Sequence, residues 1–251
     1  VRIFVYDEET GLRVGSEIWT GQDGFYQVAL ADGSYRFNVF MDASGRFFED
    51  RDPLDSPEYL VPDYLAMSPV AEGVVVDGSI QLDIELSLAI YSGSVTDNAG
   101  NPVAGAKLLF DYSYVDPDGT FYNVANSGFQ DPNFSNAFTD AEGNFAFALF
   151  VNQSVNINVT PPDGRTDLSA KRLMDLQISG DTVTSVVLDP AYAVTGSLLD
   201  VHGRPVDDTR VSVYDSTSGI RVAGDVWTDQ NGGFAFGLGP GTYKFNIGGH
   251  P

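Results

Sequence analysis

Large apolar residues recur at every second position in short runs along the chain. One run holds Tyr26, Val28 and Leu30. Alternate side chains of a β-strand lie on the same face of the sheet, so we expect these residues to face a core. The same spacing is found at Phe145, Phe147, Leu149, Phe234, Phe236 and Leu238, and in the pairs Ile3 and Val5, Leu108 and Phe110, and Val211 and Val213.

The runs are separated by short polar turns. The segments 139–145 (TDAEGNF) and 228–234 (TDQNGGF) place Asp at the first turn position and Gly where a positive φ is needed. They predict hairpin loops between strands. Strands at this spacing are typical of an antiparallel Ig-like β-sandwich. The one weak helical candidate is 166–176, for which a short helical turn within a long loop is an equal interpretation.

The start of the chain recurs near its end. Residues 1–38 align without a gap with 209–246 at an offset of 208. Identical pairs in this alignment include Arg2 and Arg210, Tyr6 and Tyr214, Trp19 and Trp227, Gly33 and Gly241, and Asn38 and Asn246. This self-similarity indicates a duplicated unit of about 208 residues.

A looser repeat lies between the two ends. Residues 93–103 (GSVTDNAGNPV) match 196–206 (GSLLDVHGRPV), and the T-D-x-x-G turn occurs in both regions. We therefore predict three modules: 1–90 without its first strand, a complete one at 91–191, and 192–251 truncated at its C-terminal end. Short connections are expected near 89–92 and 190–194, and both ends are expected to be cut within a module of a longer chain.

The motifs resemble those of the carboxypeptidase regulatory-like domain. That family belongs to the prealbumin-like β-sandwiches and is related to the Cna B-type repeats of bacterial surface adhesins. The resemblance rests on 93–106, on 139–147, and on the G-x-Y segments 33–35 and 241–243. It leaves out the insertions at about 40–75 and 111–136. It implies a prealbumin-like sandwich that is not an enzyme and serves as a stalk, linker or companion module.

Composition narrows the classes of partner. The chain has 13 Lys+Arg against 35 Asp+Glu, a net charge of −22, and no cysteine. A surface this acidic disfavours nucleic acid and anionic lipid, and the missing thiols exclude disulfides and thiolate metal sites. No apolar run approaches the ~18 residues of a membrane span. We expect an extracellular, cell-surface protein with no membrane insertion and no required cofactor.

Catalytic motifs are not found. The two histidines, His202 and His250, have no Ser and Asp partners arranged by motif, so no catalytic residues are assigned. A Lys–Asn isopeptide bond, known in adhesin modules that this chain resembles, is not expected at Lys107, because it alternates with the core-facing Leu108 and points outward. Arg2 and Arg210 occupy the same place in the other modules and indicate a cross-strand pair with an acid.

Two acidic clusters are candidate calcium sites. The first insertion holds Asp42, Glu49, Asp50, Asp52, Asp55 and Glu58, and the second cluster is Asp116 and Asp118. Ca²⁺ takes six to eight oxygen ligands, which such loops supply. Neither cluster has EF-hand spacing. A solvated acidic loop is the other interpretation of both.

An aromatic residue precedes the turn threonine in each module. These residues are Trp19, Phe138 and Trp227. If the threonine faces the core, the aromatic side chain faces outward. It is a candidate for stacking on a sugar or for contact with an adjoining module or subunit, and packing under a local loop is the alternative.

Together these features predict a structural or adhesive repeat of a long, multi-module surface protein. Its partners are neighbouring modules or copies of itself, and strand complementation into a filament is one form of assembly. The alternative function is a carbohydrate-binding accessory to a secreted polysaccharide-degrading enzyme, with glycans as partners.

Overall fold

A computed structural model describes residues 1–21, 23–42, 64–126, 137–219, 221–223 and 225–248. The described chain consists of strands and turns, which confirms the all-β prediction. No helix in these ranges is long and apolar enough to cross a bilayer. The helical candidate at 166–176 was wrong, because residues 166–170 form a loop and Lys171–Ile178 form a strand.

Sixteen strands are present in the described ranges. They are β1 (Arg2–Asp7), β2 (Arg13–Trp19), β3 (Gly33–Asp42), β4 (Tyr64–Val76), β5 (Leu88–Asp97), β6 (Lys107–Val115), β7 (Phe121–Asn126), β8 (Asn144–Phe150), β9 (Gln153–Thr160), β10 (Lys171–Ile178), β11 (Thr182–Leu188), β12 (Tyr192–Ser197), β13 (Arg210–Asp215), β14 (Val226–Trp227), β15 (Gly233–Leu238) and β16 (Tyr243–Gly248).

The largest sheet has eight strands in the order β10-β9-β6-β7-β4-β3-β1-β2. It contains strands from both the first and the second predicted module. Three smaller sheets have the orders β11-β5-β8, β12-β15 and β14-β13-β16. Pairing is antiparallel except between β11 and β5, which run parallel. The prediction of antiparallel sandwich modules is confirmed, and β5–β11 is one parallel pair among them.

The buried apolar residues form three cores. In the second predicted module, Phe147 of β8 and Phe110 of β6 pack with ring centroids 5.0 Å apart, which joins two sheets face to face as a sandwich. A second core surrounds Val5 and Phe37, and a third surrounds Val213 and Phe236. The module boundaries themselves stay predictions.

The period-two prediction holds wherever the residues lie in sheets. Phe145, Phe147 and Leu149 are buried, and so are Ile3, Val5, Leu108, Phe110, Val211, Val213, Phe236 and Leu238. Phe234 is partly buried. The expected connection at 89–92 was wrong, because these residues lie within β5. The second link is residues 189–191, between β11 and β12.

Candidate strand-acceptor site

The opening strand of the second module is held on both sides. β5 pairs antiparallel with β8 and parallel with β11, so Gly93 lies opposite Phe145 on one side and Thr184 on the other. In the third module, β12 pairs with β15 in the same way, with Gly196 opposite Phe234. The motif G-S-x-x-D therefore marks a strand that completes a sheet.

The first module carries the two flanking segments without sheet pairing. Residues 25–30 match β8 and β15. Residues 80–86 align with β11 at an offset of 102 through a shared alternation of side chains and one identity, Leu86 and Leu188, and in this alignment Leu82 corresponds to Thr184. Within the described residues neither segment belongs to a sheet. Both still alternate between partly buried and exposed positions, as strands do. We call residues 25–30 and 80–86 the acceptor edges.

The inward side chains of the acceptor edges belong to the first core. Tyr26 and Leu30 on one edge and Leu82, Ile84 and Leu86 on the other pack against it. Their apolar contacts hold both segments in place. Neither segment takes part in a described strand ladder, although the Phe25 and Leu86 carbonyls accept the N–H groups of Gly21 and Leu88.

A side-chain hydrogen bond connects the two acceptor edges. The Tyr26 hydroxyl donates to the main-chain carbonyl of Leu82 at 2.7 Å. In the second module the equivalent pair, Phe145 and Thr184, flanks Gly93. Burial and the nearby carboxylate of Asp83 raise the pKa of Tyr26, which keeps the phenol protonated and able to donate.

Glycine is required in a strand that lies between such edges. A Cβ on Gly93 would overlap the carbonyl oxygen of Thr184 and lie 3.1 Å from the Phe145 ring. A Cβ on Gly196 would collide with the ring of Phe234. The glycine of the motif is thus required by a neighbouring main-chain carbonyl at Gly93 and by an aromatic ring at Gly196.

The first two modules are joined by a continuous sheet. Tyr64–Ser68 of β4 pair antiparallel with Phe121–Ala125 of β7, while β4 also pairs with β3. Both strands come from the insertions that the sequence resemblance left out. These insertions therefore supply main-chain hydrogen bonds between modules.

A tyrosine cluster packs beside this joint. Tyr114 and Tyr122 stack with centroids 4.7 Å apart, and Tyr122 meets the edge of Phe150 at 4.9 Å. Burial and the neighbouring Tyr114 raise the pKa of Tyr122 to about 12. The phenol is thus neutral at physiological pH and donates to Asp116 at 3.2 Å.

A loop of the second predicted module is held to the residues that connect it to the third. The Ser169 N–H donates to Asp189 O at 2.9 Å, and the Ala191 N–H donates to Asp167 O at 2.8 Å. The same loop approaches β15 so closely that a Cβ on Gly237 would overlap the carbonyl oxygen of Leu168. The equivalent residue of the first module is Ala29, so the module itself does not require glycine here. Glycine is required at 237 because of the contact with this loop.

Each of the three aromatic residues predicted as binding positions lies opposite a cationic residue. Trp19 lies opposite Arg2, Phe138 opposite Lys107, and Trp227 opposite Arg210. The Arg2 guanidinium lies 5.3 Å from the Trp19 ring centroid, within cation–π range. Trp19 is 41% exposed and Trp227 43%, while Phe138 is partly buried. Their outward orientation agrees with the turn threonines Thr139 and Thr228 being buried.

Two of these cations, Arg2 and Lys107, also contact acidic side chains. Arg2 lies 3.9 Å from Glu17, and Lys107 Nζ lies 3.1 Å from Asp163. Lys107 is thus in a surface ion pair, which agrees with its predicted outward orientation. A cation, an acid and an aromatic ring therefore pack together at this place. The sequence predicted the pair of cation and acid but not the contact of the cation with the aromatic residue.

The second acidic cluster is built as a turn. Asp116 Oδ1 accepts the N–H groups of Asp118 and Thr120 at 3.0 and 2.9 Å. The same pattern, D-x-x-G-x, is formed by Asp97, Asp140, Asp200 and Asp229. In the described ranges no three acidic or histidine side chains are grouped to hold a metal.

The first acidic cluster lies almost wholly outside the described residues. Glu49, Asp50, Asp52 and Asp55 are outside them, and of Asp42 only the main chain, at the end of β3, is described. Calcium binding there stays a prediction, which calorimetric titration with Ca²⁺ tests.

No protein-family model matches the chain, and no curated protein matches it either. Among solved structures, the Bacillus anthracis TIE protein is similar at 12% identity and a TM-score of 0.26, over 98% of this chain and 41% of that one. This chain thus spans less than half of the TIE protein's length.

Two further solved structures are similar at the same level. A streptococcal ancillary pilin matches at 12% identity and a TM-score of 0.29, over 98% of this chain and 82% of that one. The shaft pilin SpaA from Lactobacillus rhamnosus GG matches at 11% identity and a TM-score of 0.23, over 66% of this chain and 89% of that one. At these scores the likenesses carry no argument about function, and the carboxypeptidase regulatory-like resemblance stays a prediction.

Proposed function

We propose that this chain is a non-catalytic structural repeat of an extracellular, multi-module surface protein. The observation that carries the proposal is the β4–β7 ladder, in which insertions of two successive modules join their sheets. A flexible linker would let modules swivel, whereas five consecutive residue pairs of a ladder fix their relative orientation. A protein that must keep its modules in line needs such joints.

The joint between the second and third modules supports the same role. Main-chain hydrogen bonds hold the loop of the second module to the connecting residues 189–191, and the same loop contacts β15 of the third module at Gly237. The first pair of modules is thus joined by a strand ladder and the second pair by a three-residue connection held by a loop. Strand complementation between copies, leading to a filament, is the finer form of this proposal.

Carbohydrate recognition is less well supported. A sugar-stacking platform needs an aromatic face that is open to the ligand. The Trp19 ring already packs with the Arg2 guanidinium and is less than half exposed. The aromatic residues are better explained as part of each module's own packing.

A disulfide trap tests the joint. Ala66 of β4 lies directly opposite Asn123 of β7, and Asn123 lies opposite Ser113 of β6. Directly opposed residues in antiparallel strands have Cα atoms about 4.5–5.5 Å apart, which suits a disulfide. We expect the double variant Ala66→Cys, Asn123→Cys to cross-link on mild oxidation, against a background free of cysteine.

The matched control is the double variant Ala66→Cys, Ser113→Cys. These residues are two strands apart, about 10 Å, which a disulfide does not span. Cross-linking of the control only, or of neither variant, would contradict the ladder. Calorimetry then tests whether the first two modules unfold together. We expect one transition for both modules, and two independent transitions would contradict the proposed function.

A further inference from the structure

We propose that a cavity at the joint between the first two modules binds an alkylammonium group, such as a lysine side chain of a partner protein or a free diamine. The cavity has a volume of about 320 Å³. Met67, Glu85 and Ser87 of the first module line one side, and the β6–β7 hairpin and the turn between β8 and β9 line the others. Its volume lies at the lower end of the range for small-molecule sites, about 300–1,000 Å³.

One wall of the cavity is aromatic and apolar. Tyr114 and Tyr122 stack on each other, and Tyr122 also packs against Phe150. Phe150 is buried, whereas both tyrosines are partly exposed. Met67 adds a flexible apolar side chain to the same lining. Such a surface covers an aliphatic stem, and aromatic rings attract the cation that the stem carries.

Two carboxylates line the cavity beside this wall. Glu85 is exposed, and the ion pairs found among the described residues involve acids other than Glu85. The Asp116 carboxylate is fixed in place, because it accepts two N–H groups of its own turn and the Tyr122 hydroxyl. A carboxylate has about four lone-pair positions, so Asp116 retains one for a cationic donor.

The charges around the cavity favour a cation over other ligands. None of the described residues that line it is Lys, Arg or His. Burial and, in addition, the Asp116 carboxylate raise the pKa of Tyr114, so the negative potential of this carboxylate reaches the aromatic wall. The net charge of −22 concentrates cations around the whole chain. An anion would be repelled, and a neutral ligand would gain nothing from either carboxylate.

A ligand in this cavity contacts both modules. Met67 of β4 lies opposite Tyr122 of β7, and the Val151 N–H donates to the Ser87 carbonyl at 3.0 Å. These contacts bring the two sides of the cavity together only when the modules are joined. The inference therefore rests on the joint of the proposed function. Because the ligand binds the joined state, we expect it to raise the melting temperature of the first two modules.

The test is calorimetric titration of the full chain with 1,5-diaminopentane and with Nα-acetyl-lysine methylamide. The matched neutral probe is 1,5-pentanediol, which has the same carbon stem without charge. We expect saturable binding of an amine and at least 10-fold weaker binding of the diol. Binding of the diol as tight as that of the amines would overturn the proposal. A tighter diamine assigns the site to a free diamine, and otherwise the lysine side chain is the ligand.

A pair of charge variants separates the site from general attraction to an acidic surface. Glu85→Gln removes one carboxylate of the cavity, so we expect about 2- to 5-fold weaker binding of the amine, the range of an exposed ion pair. Glu142→Gln is the control, because Glu142 is exposed, lies outside the lining and changes the net charge equally. Equal effects of the two substitutions would overturn the site.

A second pair of variants tests the aromatic wall. Tyr114→Phe keeps the ring, and Tyr114→Leu replaces it with an aliphatic side chain. We expect the Phe variant to bind the amine as the wild type does and the Leu variant to bind about 3- to 10-fold more weakly, since the cation–π attraction is lost. Urea unfolding of both variants shows that they are folded during the titration. Equal amine binding by the two variants would overturn the role of the wall.

Failure of this inference can be told apart from failure of the proposed function. Absence of amine binding leaves the Ala66–Asn123 cross-link and the joint unfolding of the first two modules untouched, since those depend on the β4–β7 ladder. Loss of the cross-link would instead contradict the joint itself, and the cavity with it.

Discussion

The phenol of Tyr26 donates a hydrogen bond to the carbonyl of Leu82, 56 residues further along the chain. Their counterparts in the second module, Phe145 and Thr184, lie on either side of Gly93 in the opening strand β5. The Tyr26–Leu82 bond is thus a tie across the first module, in the place where the second module has main-chain pairing.

Removal of this tie lowers the stability of the first module. We expect Tyr26→Phe to cost about 0.5–1.5 kcal/mol of unfolding free energy, the net worth of one hydrogen bond. Urea denaturation measures the change. Tyr192→Phe is the control, because Tyr192 is 70% exposed, and an equal loss in both variants would contradict the tie.

Gly237 reports on the joint between the second and third modules. A Cβ there would overlap the carbonyl oxygen of Leu168, so we expect Gly237→Ala to destabilise the chain by about 1–3 kcal/mol. Gly239→Ala is a close control, since a Cβ at Gly239 meets nothing within 4 Å. Thermal unfolding of the two variants decides: equal melting temperatures would show that the loop does not press on β15.

The aromatic residues beside the turns are expected to act in stability. Trp19→Ala removes the ring that packs with Arg2, and we expect a loss of about 0.5–1 kcal/mol from the cation–π contact, plus the lost burial. Denaturant unfolding measures this loss, and a glycan array run on the same variant measures sugar binding. Wild-type glycan binding that the variant loses, with stability unchanged, would instead favour carbohydrate recognition.

Acid is expected to destabilise the modules through their turns. Hydrogen bonds hold the pKa of several turn carboxylates below their usual value: chiefly the Thr10 side chain for Asp7, the Asn101 side chain for Asp97, and the N–H groups of Arg204 and Ser218 for Asp200 and Asp215. A carboxylate with a lowered folded pKa stabilises the fold above its unfolded pKa, about 3.9, and the contribution disappears as pH falls through the folded pKa.

The melting temperature should therefore be flat above about pH 5 and fall below about pH 4. Asp200→Asn weakens one such turn, because an amide cannot form the ion pair that Asp200 makes with Arg204 at 2.6 Å. We expect the fall to be shallower in this variant. Asp118→Asn, a substitution at the middle of a turn, is the control, and an identical pH profile for wild type and Asp200→Asn would refute the role of the turn carboxylate.

Sequence alone predicted the local features well. Alternation of apolar residues placed Phe145, Phe147 and Leu149 in a core, because strand geometry puts every second side chain on one face. The D-x-x-G pattern predicted turns whose carboxylate accepts main-chain N–H groups, as Asp140 and Asp229 do. The 208-residue repeat predicted that Arg2 and Arg210 occupy the same place, and both lie opposite a tryptophan.

Other features depended on pairing between distant segments. Residues 25–30 have the alternation of a strand but lie outside every described sheet, because strand formation needs a partner that periodicity does not name. The insertions gave no motif, yet β4 and β7 from them join two modules. Thus the chain's repeats, turns and core faces follow from the sequence, since they are local. The joints, the glycine at 237 and the acceptor edges were decided by tertiary structure, since they depend on which distant backbones come together.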